Sequence, residues 1–493
     1  MSAAAAGLQH AACWLALALG LAGCASMEPP YAEPLLPVAA TYPGDAPGRS
    51  ASIEQSAAAV GWRDYFADPH LQALVGQALE NNRDLRLALL RVQEAGAAYG
   101  IQRAERFPTL SLGASAARSR TPADLNLTRQ PLIASQYQAG LGLNSWELDF
   151  WGRVRSLNDA ALQNYLATDA ASRAVSVSLI AQVANGYLGL RELDERLELA
   201  NQTIASRAES LRIFRRRVEV GSTSRLDLTQ VESLWQQART LGAQLAQARA
   251  VQAHALAVLV GAAVEISPMP ERLADAGVLR ELSIGLPSSL LSDRPDIVAA
   301  EHQLRAANAS IGAARAAFFP RIALVGSLGT ASAELEGLFS AGSRAWSFAP
   351  SISLPIFDGG RNRSNLALAE VRKNQAIAQY ERVIQGAFRD VSDALSARQW
   401  LGDQVQTLQA TLVVQTERSR LAKLRYDNGA TTFLEVLDAQ RDLLTAQQQL
   451  VQTRRLLLSS RINLYAALGG GTQPQTVDGA VSANEKQSTK RPP

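Results

Sequence analysis

Cysteine is nearly missing from this chain: Cys13 and Cys24 are its two, both close to the start of 493 residues. Past Cys24 no disulfide and no cysteine-held metal cluster can form. Beyond His10 the histidines are His70, His254 and His302, each alone in helix-patterned sequence and none at metal-ligand spacing from another. After Cys24 the only methionines are Met27 and Met269, which leaves no soft-ligand path for Cu(I) or Ag(I). No apolar run of about 18 residues follows Cys24, so no transmembrane helix is expected. The formal net charge of +3 carries no electrostatic footprint of nucleic-acid binding. Nucleophile–His–carboxylate clusters and phosphate-cradling loops are absent as well, so no enzyme is expected and no cofactor is implied.

Charge is also missing from the first 27 residues; Glu28 is the first ionisable carboxylate or cation apart from His10. An apolar run from Ala11 to Leu19 leads into Leu21-Ala22-Gly23-Cys24. A core of that length before small residues reads as a secretory signal over 1–23, too short to anchor a membrane protein. Leu-Ala-Gly-Cys resembles the bacterial lipobox, which implies cleavage before Cys24 and a covalent lipid on that cysteine. By the same resemblance, Ala25 fits delivery to the outer membrane. Residues 24–60 then form a linker in which Pro29, Pro30, Pro34, Pro37, Pro43 and Pro47 forbid a helix.

What is present, and dominant, is a repeat at about 208–212 residues. Asn82-Arg83-Asp84-Leu85 answers to Arg294-Pro295-Asp296-Ile297, and Phe107-Pro108 to Phe319-Pro320. Gly152-Arg153 answers to Gly360-Arg361, Gly221 through Asp227 to Gly429 through Glu435, and Val260-Gly261 to Leu468-Gly469. The first repeat covers 61–261, a connecting equatorial segment 262–292, the second repeat 293–469, and a polar tail 470–493. Each unit reads helix, two strands, long helix, tight turn, helix.

Local signals bound these elements. Asp68-Pro69 predicts a helix start, with Asp as N-cap and Pro in the first turn, and the helix runs on to Phe107-Pro108. From Trp346, the residues Trp346, Phe348, Pro350, Ile352, Leu354 and Ile356 alternate with small or polar ones, the period of a strand with one apolar face. Leu110, Leu112 and Ala114 alternate likewise, as do Ile322, Leu324, Gly326 and Leu328. A fourth, less regular strand lies near 136–150. About ten residues per strand is the length of a tilted membrane strand. Proline is absent from 153–218 and from 361–428, so each stretch predicts a helix of roughly 100 Å. Ser224 with Asp227, and Thr432 with Glu435, have capping-box spacing at the start of each return helix. On the first return helix Leu234, Ala238, Leu241, Leu245, Ala248, Ala255 and Leu259 form an apolar stripe with Gln252 as its polar exception. On the second, Leu437, Leu444, Val451, Leu458 and Tyr465 recur every seven residues, the spacing of supercoiled helices.

Three further segments, in order, complete the pattern: Trp62-Arg63-Asp64-Tyr65-Phe66-Ala67-Asp68-Pro69, Pro355-Ile356-Phe357-Asp358-Gly359-Gly360-Arg361, and Leu424-Arg425-Tyr426-Asp427-Asn428-Gly429. With them the chain resembles the TolC-like outer membrane efflux proteins, in the lipoprotein branch that serves RND multidrug pumps. The resemblance implies an α+β membrane protein: a homotrimer with a twelve-stranded outer membrane β-barrel, four strands per chain, continued by a periplasmic α-helical coiled-coil barrel. Physics alone demands closure, because a bilayer cannot satisfy the edges of an open sheet. It does not choose between eight strands from a dimer and twelve from a trimer.

The function so implied is a passive exit duct of a tripartite efflux pump, with outer membrane lipid around it, an inner membrane RND transporter supplying energy, and a periplasmic adaptor (membrane fusion) protein. Type I secretion or heavy-metal efflux are alternatives within transport; a lipid-anchored coiled-coil scaffold without a pore is the alternative outside it. The resemblance also names sites. Leu434 and Asp438 would narrow the periplasmic entrance, with Arg441 and Tyr426 as latch residues. Gly221, Ser222, Thr223, Gly429, Ala430 and Thr431 would be the hairpin tips that meet the adaptor. Read locally, Asp438 and Arg441 could be no more than a surface pair. Their first-repeat equivalents are Gln230 and Ser233, so the entrance is expected to differ between repeats.

Overall fold

The computed structural model describes residues 26–39, 42, 57–264, 279 and 290–471. The signal, Cys24, most of the segment 262–292 and the tail beyond Gly471 lie outside the described residues. In chain order the elements are α1 (Trp62–Tyr65), α2 (Pro69–Asn81), α3 (Arg83–Ala104), β1 (Leu110–Thr121), β2 (Leu132–Leu148), α4 (Arg153–Glu219), α5 (Arg225–Val260), α6 (Leu290–Asp293), α7 (Pro295–Ala316), β3 (Arg321–Ser332), β4 (Arg344–Ser353), α8 (Arg361–Asp427) and α9 (Phe433–Ala467). The proline-free stretches are single helices of 67 residues each. No described helix is long and apolar enough to cross a membrane.

Two compact units emerge. The first holds the sheet, with residues 91–169 and 299–381 and the chain before residue 36. Its strand order is β1-β2-β3-β4, all neighbours antiparallel. Direct partners share a face, so the register sorts the side chains. One face carries Leu110, Leu112, Leu141, Leu324, Leu328, Trp346, Phe348 and Ile352. The other carries Ser111, Gly113, Ser115, Gln138, Ser327, Ser347 and Ser351. The predicted alternation is therefore physical, and it binds four strands into one two-faced sheet. The irregularity of β2 is a bulge between Leu143 and Trp146, with Ser145 at φ +38°. It returns Trp146 to the apolar face opposite Leu324. β4 is shorter than its alternation suggested. It ends at Ser353, so Leu354 and Ile356 lie past the strand, beside Pro355, which has no N–H to donate. Residues 26–39 adopt no helix or strand, yet they are held: Asn308 donates to Glu28 Oε1 at 3.0 Å and to the Pro29 carbonyl at 2.9 Å.

The second unit is helical, from residues 36–90, 170–298 and 382 onward. Its core joins Leu71, Leu74 and Val75 of α2, Val183, Tyr187 and Leu188 of α4, Leu256 and Val260 of α5, and Leu458, Ile462 and Tyr465 of α9. Tyr65 stacks on Tyr465 at 4.2 Å, and each phenol donates to a backbone carbonyl, of Arg461 and Val60 respectively. Asp68 caps α2 as its position predicted, accepting from the His70 and Leu71 amides. The long first helix does not run on to Phe107, however. It breaks at Asn82 (ψ 131°), whose side chain accepts from the Leu85 amide and donates to the Leu259 carbonyl. A residue that caps one helix and ties down the end of another stabilises a kink that propensity alone would smooth over.

The repeat is visible at one detail. Gly261 and Gly469 end α5 and α9, both at φ +75°. A Cβ on Gly261 would stand 2.5 Å from the Asn81 carbonyl oxygen, and one on Gly469 2.4 Å from that of Asp293. Each repeat thus closes onto the break at its own beginning, through a backbone contact that only glycine permits. The apolar stripe of α5 is a partial correction: Ala238 and Leu245 are buried, but Ala248 and Ala255 are exposed and Leu256 is buried instead. A straight helix drifts about 20° per heptad from a strict repeat. Gln252, the polar exception, sits on the contact side and donates to the Gly186 carbonyl at 2.9 Å.

Candidate functional site

Both hairpin ends lie in the helical unit. The chain turns the same way in each. Gly221 and Gly429 have φ +72°; Ser222 and Ala430 donate back to the carbonyls of Arg217 and Arg425, both at 2.8 Å. This is the Schellman closure of a helix end. Gly221, Ser222, Gly429 and Ala430 are exposed, with Thr223 and Thr431 half-buried beneath them.

The two return helices start differently. Ser224 caps α5 with a complete capping box, its hydroxyl accepting from the Asp227 amide and Asp227 accepting from the Ser224 amide. Thr432 makes no side-chain cap on α9, so the second predicted capping box does not form. Glu435 is one methylene longer than Asp227. It reaches Arg425 at 2.8 Å and accepts a hydrogen bond from Thr431 instead of turning back to the N-cap amide.

That difference reorganises the arginines. Arg217 and Arg425 occupy equivalent places in the two repeats. Arg425 has Glu435; among the described residues Arg217 has no such partner, because Asp227 is held by Ser224 and Thr223. Arg217 instead crosses to the other hairpin and donates to the Tyr426 hydroxyl. Its guanidinium lies 5.7 Å from the Tyr426 ring and 5.6 Å from that of Phe214. Phe433 packs on both rings, at 4.9 and 4.5 Å.

The structure brings Leu434, Asp438 and Arg441 onto one flank of α9, away from the buried Val436, Leu437 and Ala439. Leu434 is 49% exposed, a large apolar side chain presented to solvent at a helix start. Arg441 pairs with Asp438 at 3.2 Å and with Asp442 at 3.3 Å, and Arg418 of α8 reaches Asp442 at 2.7 Å. The hydrogen bond from Arg418 holds the Asp442 carboxyl below the usual aspartate range, against a weaker desolvation effect. Arg207 of α4 is buried and donates to the Leu234 carbonyl. Burial, and then the nearby Arg441 charge, lower its pKa. Of the two expected latch residues, Tyr426 accepts a hydrogen bond from Arg217 of the other hairpin, and Arg441 pairs with Asp438 and Asp442. Arg217, Arg418 and Asp442 were not foreseen. The repeat offset could have singled out Arg217 as the twin of Arg425; nothing local could have supplied its partner.

The helical tips, the two-faced sheet and the duplicated order coincide with a known family. The model for "Outer membrane efflux protein" matches residues 74–262 and 286–470. The chain belongs to the outer membrane efflux protein family. Among relatives, the outer membrane protein OprJ of Pseudomonas aeruginosa is 44% identical over 458 residues, spanning 93% of this chain and 95% of OprJ. The solvent efflux pump outer membrane protein SrpC of Pseudomonas putida is 45% identical over 455 residues, spanning 92% and 96%. Among solved structures, the open state of the Neisseria gonorrhoeae MtrE outer membrane channel superposes with a TM-score of 0.81 at 40% identity, covering 91% of this chain and 99% of that one. As an outer membrane efflux protein, the chain resides in the outer membrane, and its role is that of a channel component of an efflux system. Members of this family are channels.

Proposed function

We propose that the chain is the exit duct of a tripartite pump, a homotrimer that passively conducts small molecules such as drugs or solvents from periplasm to exterior. The observation that carries this reading is the open four-stranded sheet. One face is apolar, the other is small and polar, and both edges lack partners among the described residues. Lipid cannot satisfy those edges. Three copies close them into a twelve-stranded wall with serines, glycines and glutamines inside. Exposed apolar residues on the long helix α8, among them Val371, Trp400, Val413 and Val414, give the same three copies a helical interface. Cys24 carries the lipid. Energy comes from an inner membrane RND transporter, and a periplasmic adaptor meets the tips at Gly221 to Thr223 and Gly429 to Thr431. Around the three-fold axis, Leu434 would form an apolar collar and Asp438 an anionic ring, with Arg441 and the Tyr426–Arg217 contact bracing it. Size exclusion and a ring of charge suffice for such a gate, and the proposal assigns the protein no chemical step.

The test is assembly and conduction by the purified full chain. Heat-sensitive trimers on unheated gels and single-channel currents in planar bilayers are expected; a monomer without current would overturn the proposal. Ile352→Arg should impair assembly, since Arg facing lipid costs about 2–4 kcal/mol near the midplane. Ser351→Arg, on the other face, should assemble and alter conductance. Cys24→Ala should lose fatty-acid labelling while the trimer still folds.

A further inference from the structure

The outward face of the sheet is not uniform along its height. At the end near the helices it is aliphatic, with Leu110, Leu112, Leu148, Ile322, Leu324 and Ile352. Farther along come the aromatic rings of Phe348, Trp346 and Tyr137. At the far end it turns cationic. Arg118 and Arg120 are near the end of β1, and Arg344 opens β4.

The register puts all three on the apolar face. Arg118 stands opposite Ser135 and Arg120 opposite Ile133, two and four positions along β2 from Tyr137; Arg344 stands opposite Thr330, which in turn faces Ala139. The inner face has no charge at this height: Ala117, Ser119, Ala134, Gln136, Ala331 and Ala345 occupy it. A strand end that was merely solvated would have no reason to sort its arginines to one side. Sidedness is one observation; the lack of counterions is a second. All three guanidinium groups are exposed, and none pairs with a carboxylate among the described residues. Arg321, at the other end and on the inner face, does pair, with Glu147 at 2.7 Å. Arg118 and Arg120 are two residues apart on one strand, hence about 7 Å apart, with the Ser135 hydroxyl on the neighbouring strand.

Cations beyond an aromatic girdle, on a surface that faces lipid, sit at head-group depth. Guanidinium groups bind phosphate by paired, charge-assisted hydrogen bonds. We infer that Arg118, Arg120 and Arg344 form a belt that binds the phosphate groups of an anionic glycolipid in the outer leaflet, fixing the barrel to the lipopolysaccharide around it. The inference rests on the reading of this face as the lipid-facing wall.

The experiment uses the full-length trimer, with Arg118→Gln, Arg120→Gln and Arg344→Gln together, and Arg372→Gln on α8 as the matched loss of one exposed charge. Native mass spectrometry reads retention of bisphosphorylated lipid A, of lipid A stripped of phosphate, and of phosphatidylethanolamine, with inorganic phosphate as competitor. Currents are recorded from the same preparations. The parent and Arg372→Gln should retain the bisphosphorylated lipid. Affinity should fall about fivefold for each belt arginine removed and on the order of a hundredfold for all three, with conductance unchanged. Equal retention by the triple variant and the parent overturns the inference, as does equal retention of the phosphate-free lipid. Displacement by millimolar inorganic phosphate would mark a free-anion site and overturn it too. Should the triple variant not assemble, the three single variants carry the test, and unchanged retention in all of them overturns the belt. A parent that does not conduct defeats the duct; a conducting parent whose belt variants keep their lipid defeats only the belt.

Discussion

The two hairpins are copies with the same turn, yet they are tied differently. In the first, Ser224 and Asp227 satisfy each other and Arg217 is left to reach outward. In the second, Glu435 is drawn to Arg425, Thr432 caps nothing, and an Asp438–Arg441–Asp442–Arg418 chain of charges occupies the flank where the first has Gln230 and Ser233. One methylene, the difference between Asp227 and Glu435, decides which arginine is available to join the hairpins. Duplication supplies the scaffold, and divergence at its tips supplies a device.

The largest test of that difference is at the exposed flank of α9. Leu434→Ala with Asp438→Ala should raise conductance severalfold in planar bilayers and abolish block by multivalent cations, which need clustered carboxylates. Gln230→Ala, its counterpart in the first repeat, should leave both near the parent values. Identical behaviour of the two variants would place the constriction elsewhere. Arg441→Ala should do less than Asp438→Ala, because it removes a partner of two aspartates but also relieves the charge beside Arg207.

Next comes the tie between the hairpins. Tyr426→Phe and Arg217→Ala should each raise the open fraction of the channel, and the double variant should add little to either single one, since both remove one contact. Fully additive effects in that cycle would mean that the residues act separately. A hydrogen bond to a charged donor is worth about 1.5–3 kcal/mol, which bounds the effect.

The caps give a smaller contrast. Ser224→Ala should destabilise its hairpin by about 1 kcal/mol, and Thr432→Ala by a few tenths. Thermal melts of otherwise identical trimers read the difference. Glu435→Asp should convert the second start into the first, by shortening the carboxylate away from Arg425 and returning it to the Thr432 amide. Equal losses from the two alanine substitutions would contradict the asymmetry of capping.

The smallest effect is on acid stability. The Ser224 hydroxyl, followed by that of Thr223, holds the Asp227 carboxyl below its ordinary range. A depressed native pKa stabilises the fold above the unfolded value, about 3.9, and that contribution is lost as pH falls through the native pKa. The contribution of Asp227 to the melting temperature should therefore be constant between about pH 7 and 5 and be lost below about 4. Asp227→Asn should flatten that acid limb, and an unchanged limb would remove Asp227 as its source. Asp442, lowered first by Arg418, should act in the same window.

Most of the fold was legible because its signals are local or periodic. Asp68-Pro69 opens a helix by covalent geometry, and alternation in β1, β3 and β4 survives as a face because strand side chains have period two. What was missed depends on partners far away in sequence. The break at Asn82 rests on the Leu259 carbonyl, and the failed capping box at Thr432 rests on Arg425 outbidding an amide. The alternation past Ser353 continues in sequence after hydrogen bonding to β3 has ended. At the site, the flank of Leu434, Asp438 and Arg441 follows from helical spacing alone. The reach of Arg217 to Tyr426 does not, because it joins the two repeats.

Gly261 and Gly469 carry a consequence for ancestry. Because each repeat seals against its own beginning, a half-length ancestor could have folded with the same seal. With two strands per repeat, such a half-chain would close a twelve-stranded wall only as a six-fold ring of identical subunits. Identical subunits cannot carry aspartate at one position and glutamine at its equivalent. In the proposed trimer, fusion of two half-genes would lower the symmetry of the ring from six-fold to three-fold. Only after that step could Asp438 and Gln230 evolve apart, and with them the proposed ring of three charges between three neutral places.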